Sequence, residues 1–170
     1  SMGDMTANGW FLEWAEPRQY MRNAIYLNSG TPRFLEAAYI TGLADTDWTW
    51  SVNFGDLDND GWVDLFAANG MTGDWGNSDI ERRTGLSRDS VTGESAEMFT
   101  LVPVKREKNL AFRNRGDLSF EDASAEWGLD HEGISFGAAL GDLDGDGDLD
   151  LVVNHFREAP GVYRNRAAGG

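Results

Sequence analysis

The chain has 170 residues, 41% of them hydrophobic and 12% aromatic, which suffices for a folded domain with its own core. Its formal charge of −15 is repelled by nucleic acid and by anionic membranes, so neither is expected as a partner. The absence of cysteine removes disulfides, thiol chemistry and thiolate metal sites, and no apolar run is long enough for membrane insertion.

In chain order, the start SMGDMTANGW lacks the basic and apolar regions of a secretory signal. MTANG at 5–9 echoes FAANG at 66–70, which suggests that the chain enters partway through a repeated unit. A strand is predicted over 23–28, followed by a turn through SGTP and a strand at FLEAA, 34–38. Residues 39–44 read as a helical turn or a loop. The aromatic and β-branched WTWSVNF predicts a strand over 48–54, and WVDLFAA another over 62–68. Between them lies GDLDNDGWVDL, residues 55–65.

The same order then returns. Strands are predicted at 110–114 and at FEDAS, 120–124, with RGDL as the turn between them. Residues 125–129 read again as a helical turn or a loop, followed by a strand at 134–140, the stretch GDLDGDGDLDL at 141–151, and strands at 149–154 and 162–165. A shift of 86 residues superimposes 23–70 on 109–156 with 15 identities in 48 positions, where chance gives about three. Tyr163, Arg164 and Asn165 repeat Phe112, Arg113 and Asn114 after 51 residues, so the true unit is near fifty residues. About 35 extra residues then fall between Asn69 and Lys108. A unit of this length holds four short strands, as in a propeller blade.

The two aspartate stretches carry the chemistry. Asp56, Asp58, Asp60 and Asp64 in one, and Asp142, Asp144, Asp146 and Asp150 in the other, stand at positions one, three, five and nine of a tight loop. Four carboxylates so close together repel one another unless a hard cation sits among them, and all-oxygen ligation suits calcium. Gly61 and Gly147 allow the sharp turn that brings the later ligands back toward the ion. An EF-hand is excluded, because its bidentate glutamate at position twelve is replaced by Ala67 and Val153 and the flanks read as strands. Two bound calcium ions would bring the net charge from −15 to −11.

With these residues in place, SFGAALGDLDGDGDLDLVVN at 135–154 resembles the FG-GAP repeat of integrin alpha subunits, also called the VCBS repeat. The Y/F-x-N-x-G-x-x-x-F-x-(E/D)-A spacing is similar to a bacterial branch that includes cartilage acidic protein-like and UnbV-type proteins. The resemblance implies an all-β chain of four-stranded antiparallel propeller blades with DxDxDGxxD calcium loops. It implies two Ca2+ sites formed by the eight aspartates, with Trp62 and Asp148 at position seven giving backbone carbonyls only. It further implies a secreted or surface-exposed protein without catalysis.

The expected organisation is one domain over 1–170 of about 2.6 repeat units: a partial blade at 1–44, a full blade at 45–129 with an insertion at 70–108, and a partial blade at 130–170. The expected role is noncatalytic recognition or adhesion toward a protein or carbohydrate ligand in an extracellular, periplasmic or cell-surface setting. The alternative is an accessory propeller domain of a larger secreted or biosynthetic enzyme. Open edge strands invite self-association.

The insertion, with Asp74, Trp75, Asp79, Glu81, Arg82, Arg83 and Arg88, is either a recognition loop or an excursion covering a blade edge. Trp48, Trp50, Trp62, Trp75 and Trp127 read as packing between blades rather than as sugar platforms. Arg115, Gly116 and Asp117 form an RGD tripeptide on a hairpin, whose glycine turn geometry alone explains. His131 and His155 stand at nonequivalent places with no motif nucleophile nearby and read as structural.

Overall fold

The computed structural model describes residues 22–74 and 102–167. The echo at 5–9 and the insertion residues Trp75, Asp79, Glu81, Arg82, Arg83 and Arg88 lie outside them. The chain divides into two compact units, one made of Ser1–Arg22 with Met71–Lys105 and the other of Asn23–Gly70 with Arg106–Gly170. Within the first unit, Met71 and Lys105 exchange backbone hydrogen bonds, and the Asp74 N–H donates to the Pro103 carbonyl at 2.8 Å. The second unit holds both aspartate loops.

The second unit is strand and turn, with no helix among its described residues. Its strands are β1 (Tyr26–Asn28), β2 (Phe34–Glu36), β3 (Thr49–Gly55), β4 (Asp64–Asn69), β5 (Glu107–Lys108), β6 (Leu110–Asn114), β7 (Phe120–Asp122), β8 (Glu132–Gly133), β9 (Ser135–Gly141), β10 (Asp150–His155) and β11 (Gly161–Tyr163). All their pairings are antiparallel. A four-stranded sheet runs in the order β3-β4-β6-β7, a three-stranded one in the order β11-β10-β9, and β1-β2 and β5-β8 form two-stranded ribbons. The segments after β2 and β7 are turns, not helices. They close alike, Leu43 N–H donating to Ala38 and Leu129 N–H to Ser124, at 3.0 and 2.8 Å.

The core lies on both faces of β4. Side chains alternate across a strand, so Phe66 and Ala68 face one way and Leu65 and Ala67 the other, and all four are buried. On the first side they meet Ala111, Leu129, Leu151 and Val153, with Trp127, Leu140 and Tyr163 at the margin. On the second they meet Phe112 and Leu43, with Ile25, Leu110 and Phe120 packed against them. This is the layering of a propeller, in which each sheet is covered by its neighbours.

Gly55 shows how closely two layers approach, since a Cβ there would stand 2.7 Å from Leu140 Cδ1 and 2.8 Å from Leu149 Cδ1. The equivalent Gly141 meets nothing within 4 Å. The tryptophans depart from the expected packing. Trp127 joins the core margin, but Trp48, Trp50 and Trp62 are exposed. Trp50 lies edge-on to Phe136 with centroids 5.3 Å apart, and the Trp62 ring lies over Gly116 of the β6–β7 hairpin. Both rings cover backbone or a neighbouring ring at a sheet margin, where one ring face stays open to water.

Candidate functional site

Each aspartate loop is a β-hairpin connection, β3 to β4 and β9 to β10. Positions four and six take the left-handed conformation in both: Asn59 (φ 59°) and Gly61 (φ 90°) in one, Gly145 (φ 79°) and Gly147 (φ 97°) in the other. Glycine enters that region without a steric penalty, and asparagine tolerates it better than most residues. Two left-handed residues two positions apart turn N–H groups of the loop inward, toward the first aspartate.

That aspartate accepts them. Asp56 Oδ1 and Oδ2 take the N–H groups of Asp60 (3.1 Å) and Gly61 (2.9 Å). Asp142 does the same with Gly145 (2.7 Å) and Gly147 (3.1 Å). Position five caps the turn, Asp60 accepting from Trp62 N–H at 2.8 Å and Asp146 from Asp148 N–H at 3.1 Å. The Asp146 carboxyl is thereby held below the usual carboxylate range, first by the Asp148 N–H and further by Arg164.

Position nine is the buried end of each loop. Asp64 is fully buried and accepts Leu57 N–H on Oδ2 and Asn114 N–H on Oδ1, both at 2.8 Å. Asp150 accepts Leu143 N–H at 2.9 Å and Asn165 N–H at 2.8 Å in the same way. Burial pushes the Asp64 carboxyl above its ordinary value, while the two N–H donors pull it down and Asp58 and Asp60 add to the rise. The asparagine side chains complete the lattice: Asn114 Nδ2 donates to the Val63 carbonyl and Asn165 Nδ2 to the Leu149 carbonyl, at 2.9 and 3.3 Å.

Candidate ligand atoms of Asp56, Asp58 and Asp64 lie within 4.8 Å of one another, as do those of Asp142, Asp144 and Asp146. Asp60 and Asp150 stand outside these closest groups, although they belong to the same loops. The side chains at position seven turn away, the Trp62 ring onto Gly116 and the Asp148 carboxylate onto Asn59 Nδ2 of the other loop at 2.8 Å. Asn165 Nδ2 also reaches the Leu57 carbonyl at 2.8 Å, so the two loops are hydrogen-bonded side by side.

The donor set suits a hard divalent cation, since every candidate atom is oxygen. One of these oxygens makes a sharper test. Asp58 Oδ1 is buried and has no hydrogen-bond partner, although buried polar atoms are nearly always paired. An acceptor-only oxygen beside two other carboxylates is an open position at which a cation could be ligated.

Several contributors are not among the aspartates. Arg113 Nε pairs with Asp58 at 2.8 Å, and Arg164 Nε pairs with Asp144 and its Nη2 with Asp146. Together with Asn114 and Asn165 they are the recurring Phe-Arg-Asn and Tyr-Arg-Asn. That recurrence was the signal available in sequence, but it marks a strand without saying what its polar side chains reach.

The histidines meet in space. The rings of His131 and His155 lie 4.1 Å apart and tilted by 38°, with His155 Nδ1 2.9 Å from Ser135 Oγ and His131 Nε2 3.0 Å from Glu158. Burial lowers the His155 pKa, His131 lowers it further, and Glu158 opposes them. Ser135 is completely buried, so this pair offers no nucleophile to a substrate. In the RGD hairpin Arg115 pairs with Glu121 at 2.7 Å and Asp117 accepts from Ser119 N–H at 3.0 Å, so both ends of the tripeptide are engaged within the turn.

A comparison with curated proteins finds no match. The family model of the FG-GAP-like repeat matches twice, over residues 12–67 and 96–153, and the two matches end 86 residues apart, the interval of the internal repeat. Each match covers the β-hairpin geometry of one aspartate loop up to its ninth position and beyond. The chain belongs to the FG-GAP-like repeat family.

Proposed function

We propose that this chain is a calcium-binding, noncatalytic propeller-type segment that recognises a protein or carbohydrate ligand outside the cell or at its surface. FG-GAP-like repeats typically occur in extracellular proteins, and no helix among the described residues is long and apolar enough to cross a membrane. Asp56, Asp58, Asp60 and Asp64 with the Trp62 carbonyl would hold one ion, and Asp142, Asp144, Asp146 and Asp150 with the Asp148 carbonyl the other. The observation that carries this reading is the unpaired, buried Asp58 Oδ1 within a loop lattice that recurs in a second copy.

The ion's chemistry here is structural. It neutralises carboxylates that otherwise repel one another, and its binding free energy adds to folding free energy. A ligand surface on such a segment is held by the sheets rather than by the metal. Nothing in the loops orients a water against a general base, because their oxygens are committed to backbone N–H groups and to the cation.

Thermal denaturation of chelated protein, with and without added calcium, tests the reading. At a free calcium concentration a hundredfold above Kd, two sites contribute about 5 kcal/mol, which raises Tm by on the order of 10–20 °C in a chain of this size. An unchanged melting curve together with no calcium heat by titration calorimetry overturns it.

A further inference from the structure

The two loops share a feature that metal ligation does not require. In both units that carry an aspartate loop the residue between the aromatic and the asparagine of the third strand is an arginine, where Tyr26-Leu27-Asn28 has a leucine, and it reaches back to the position-three aspartate: Arg113 to Asp58, Arg164 to Asp144. The same contact formed twice in one chain, from the same register position, marks a designed element rather than a chance surface pair. We propose that Arg113 and Arg164 are internal counter-cations that hold the loops closed without metal, and that Arg164, which calcium must displace, also sets how tightly the second loop takes the ion. This rests on the calcium reading above.

The two arginines differ in what else holds them. Arg113 is clamped by both oxygens of Glu126, at 2.6 and 3.2 Å, and stacks over Trp127 at 5.1 Å. Its side chain is 22% exposed, and it occupies Asp58 Oδ2 while leaving Oδ1 unpaired. It therefore stays in place when a cation arrives, presenting its charge beside the ion. Arg164 is 58% exposed, and among the described residues its partners are the loop carboxylates of Asp144 and Asp146 alone. A divalent ion competes for those same oxygens, so Arg164 swings into solvent as the ion enters. Calcium exchanges with a guanidinium at residues 142–150 and binds beside one at residues 56–64.

Displacement imposes a thermodynamic identity. If Arg164 contacts the loop only when metal is absent, whatever it adds to the chelated protein it subtracts from calcium affinity. Arg164→Gln, placed in an Asp56→Asn background so that only the second loop titrates, is expected to lower the calcium Kd roughly tenfold relative to that background. The same change is expected to lower Tm under chelation by roughly 3–6 °C, and to leave Tm in saturating calcium unchanged. Arg164→Lys, which keeps the charge, retains most of the weaker affinity. Arg113→Gln, whose parent contacts persist with metal bound, lowers Tm in chelator and in calcium alike.

A merely structural arginine lowers stability in both states and does not tighten calcium. An Arg164→Gln Kd that is unchanged or raised overturns this proposal while leaving the calcium reading intact. Absence of calcium heat in the parent chain as well as the variants removes both.

Discussion

Two aspartates of one loop separate the backbone clamp from the metal site. Replacing Asp64 with alanine removes the acceptor for two N–H groups, Leu57 and Asn114, at a fully buried position. Each buried donor left without a partner costs about 1–3 kcal/mol, so the chelated protein should lose about 2–6 kcal/mol. Against a typical total of about 5–15 kcal/mol that is a large fraction. Asp56 also accepts two N–H groups, from Asp60 and Gly61, but in an exposed turn where water takes over, so Asp56→Ala should cost no more than about 1 kcal/mol under chelation. Urea denaturation in excess chelator, followed by tryptophan fluorescence, measures both without any contribution from metal. If the two variants lose the same stability there, the view of position nine as a buried backbone clamp is wrong. In saturating calcium both variants should fall well below the parent, because each then also lacks a ligand.

Gly55→Ala should destabilise by about 1–3 kcal/mol through overpacking against Leu140 and Leu149, while Gly141→Ala, with open space at the same register, should stay within about 0.5 kcal/mol; equal urea midpoints would refute the close approach. The depressed pKa of His155 means that the folded protein binds fewer protons than the unfolded chain. Its contribution is complete above the unfolded value of about 6.5 and is lost as pH falls from there toward the lower folded value. The groups facing it are His131, Glu158 and Ser135, and His155→Gln should flatten the fall in Tm between about pH 7 and 5. Asn165→Ala removes the hydrogen bonds to Leu57 and Leu149. It should therefore weaken calcium binding at both loops, read by calorimetry, whereas Asn114→Ala, whose side-chain amide donates to the Val63 carbonyl of the first loop, should weaken the first alone.

The strands and loops were legible because their signals are local. Aspartate spacing, the left-handed glycines and β-branched runs all act over a few residues, and they placed β3, β4, β9 and β10 within one or two residues of where they stand. β4 was expected from Trp62 but begins at Asp64, since Trp62 and Val63 still belong to the turn that follows Gly61. What was not legible depends on partners about fifty residues away. Nothing near Arg113 announces Asp58, and nothing near Asn114 announces the Val63 carbonyl. The tryptophans mislead for a related reason: ring size favours burial, but Trp50 and Trp62 stand at sheet margins where one ring face has no opposing layer. The histidine pair joins β10 to the β8 approach through a fold-level meeting that no spacing encodes.

The position-nine clamp of each loop is closed by residues of its own repeat: Leu57 and Asn114 secure Asp64, and Leu143 and Asn165 secure Asp150. A gene segment encoding one unit therefore carries its own lock and key. Tandem duplication of such a segment adds a unit that brings its own clamp, and the likeness of 48 positions at a shift of 86 residues is the trace that this mode of growth leaves behind.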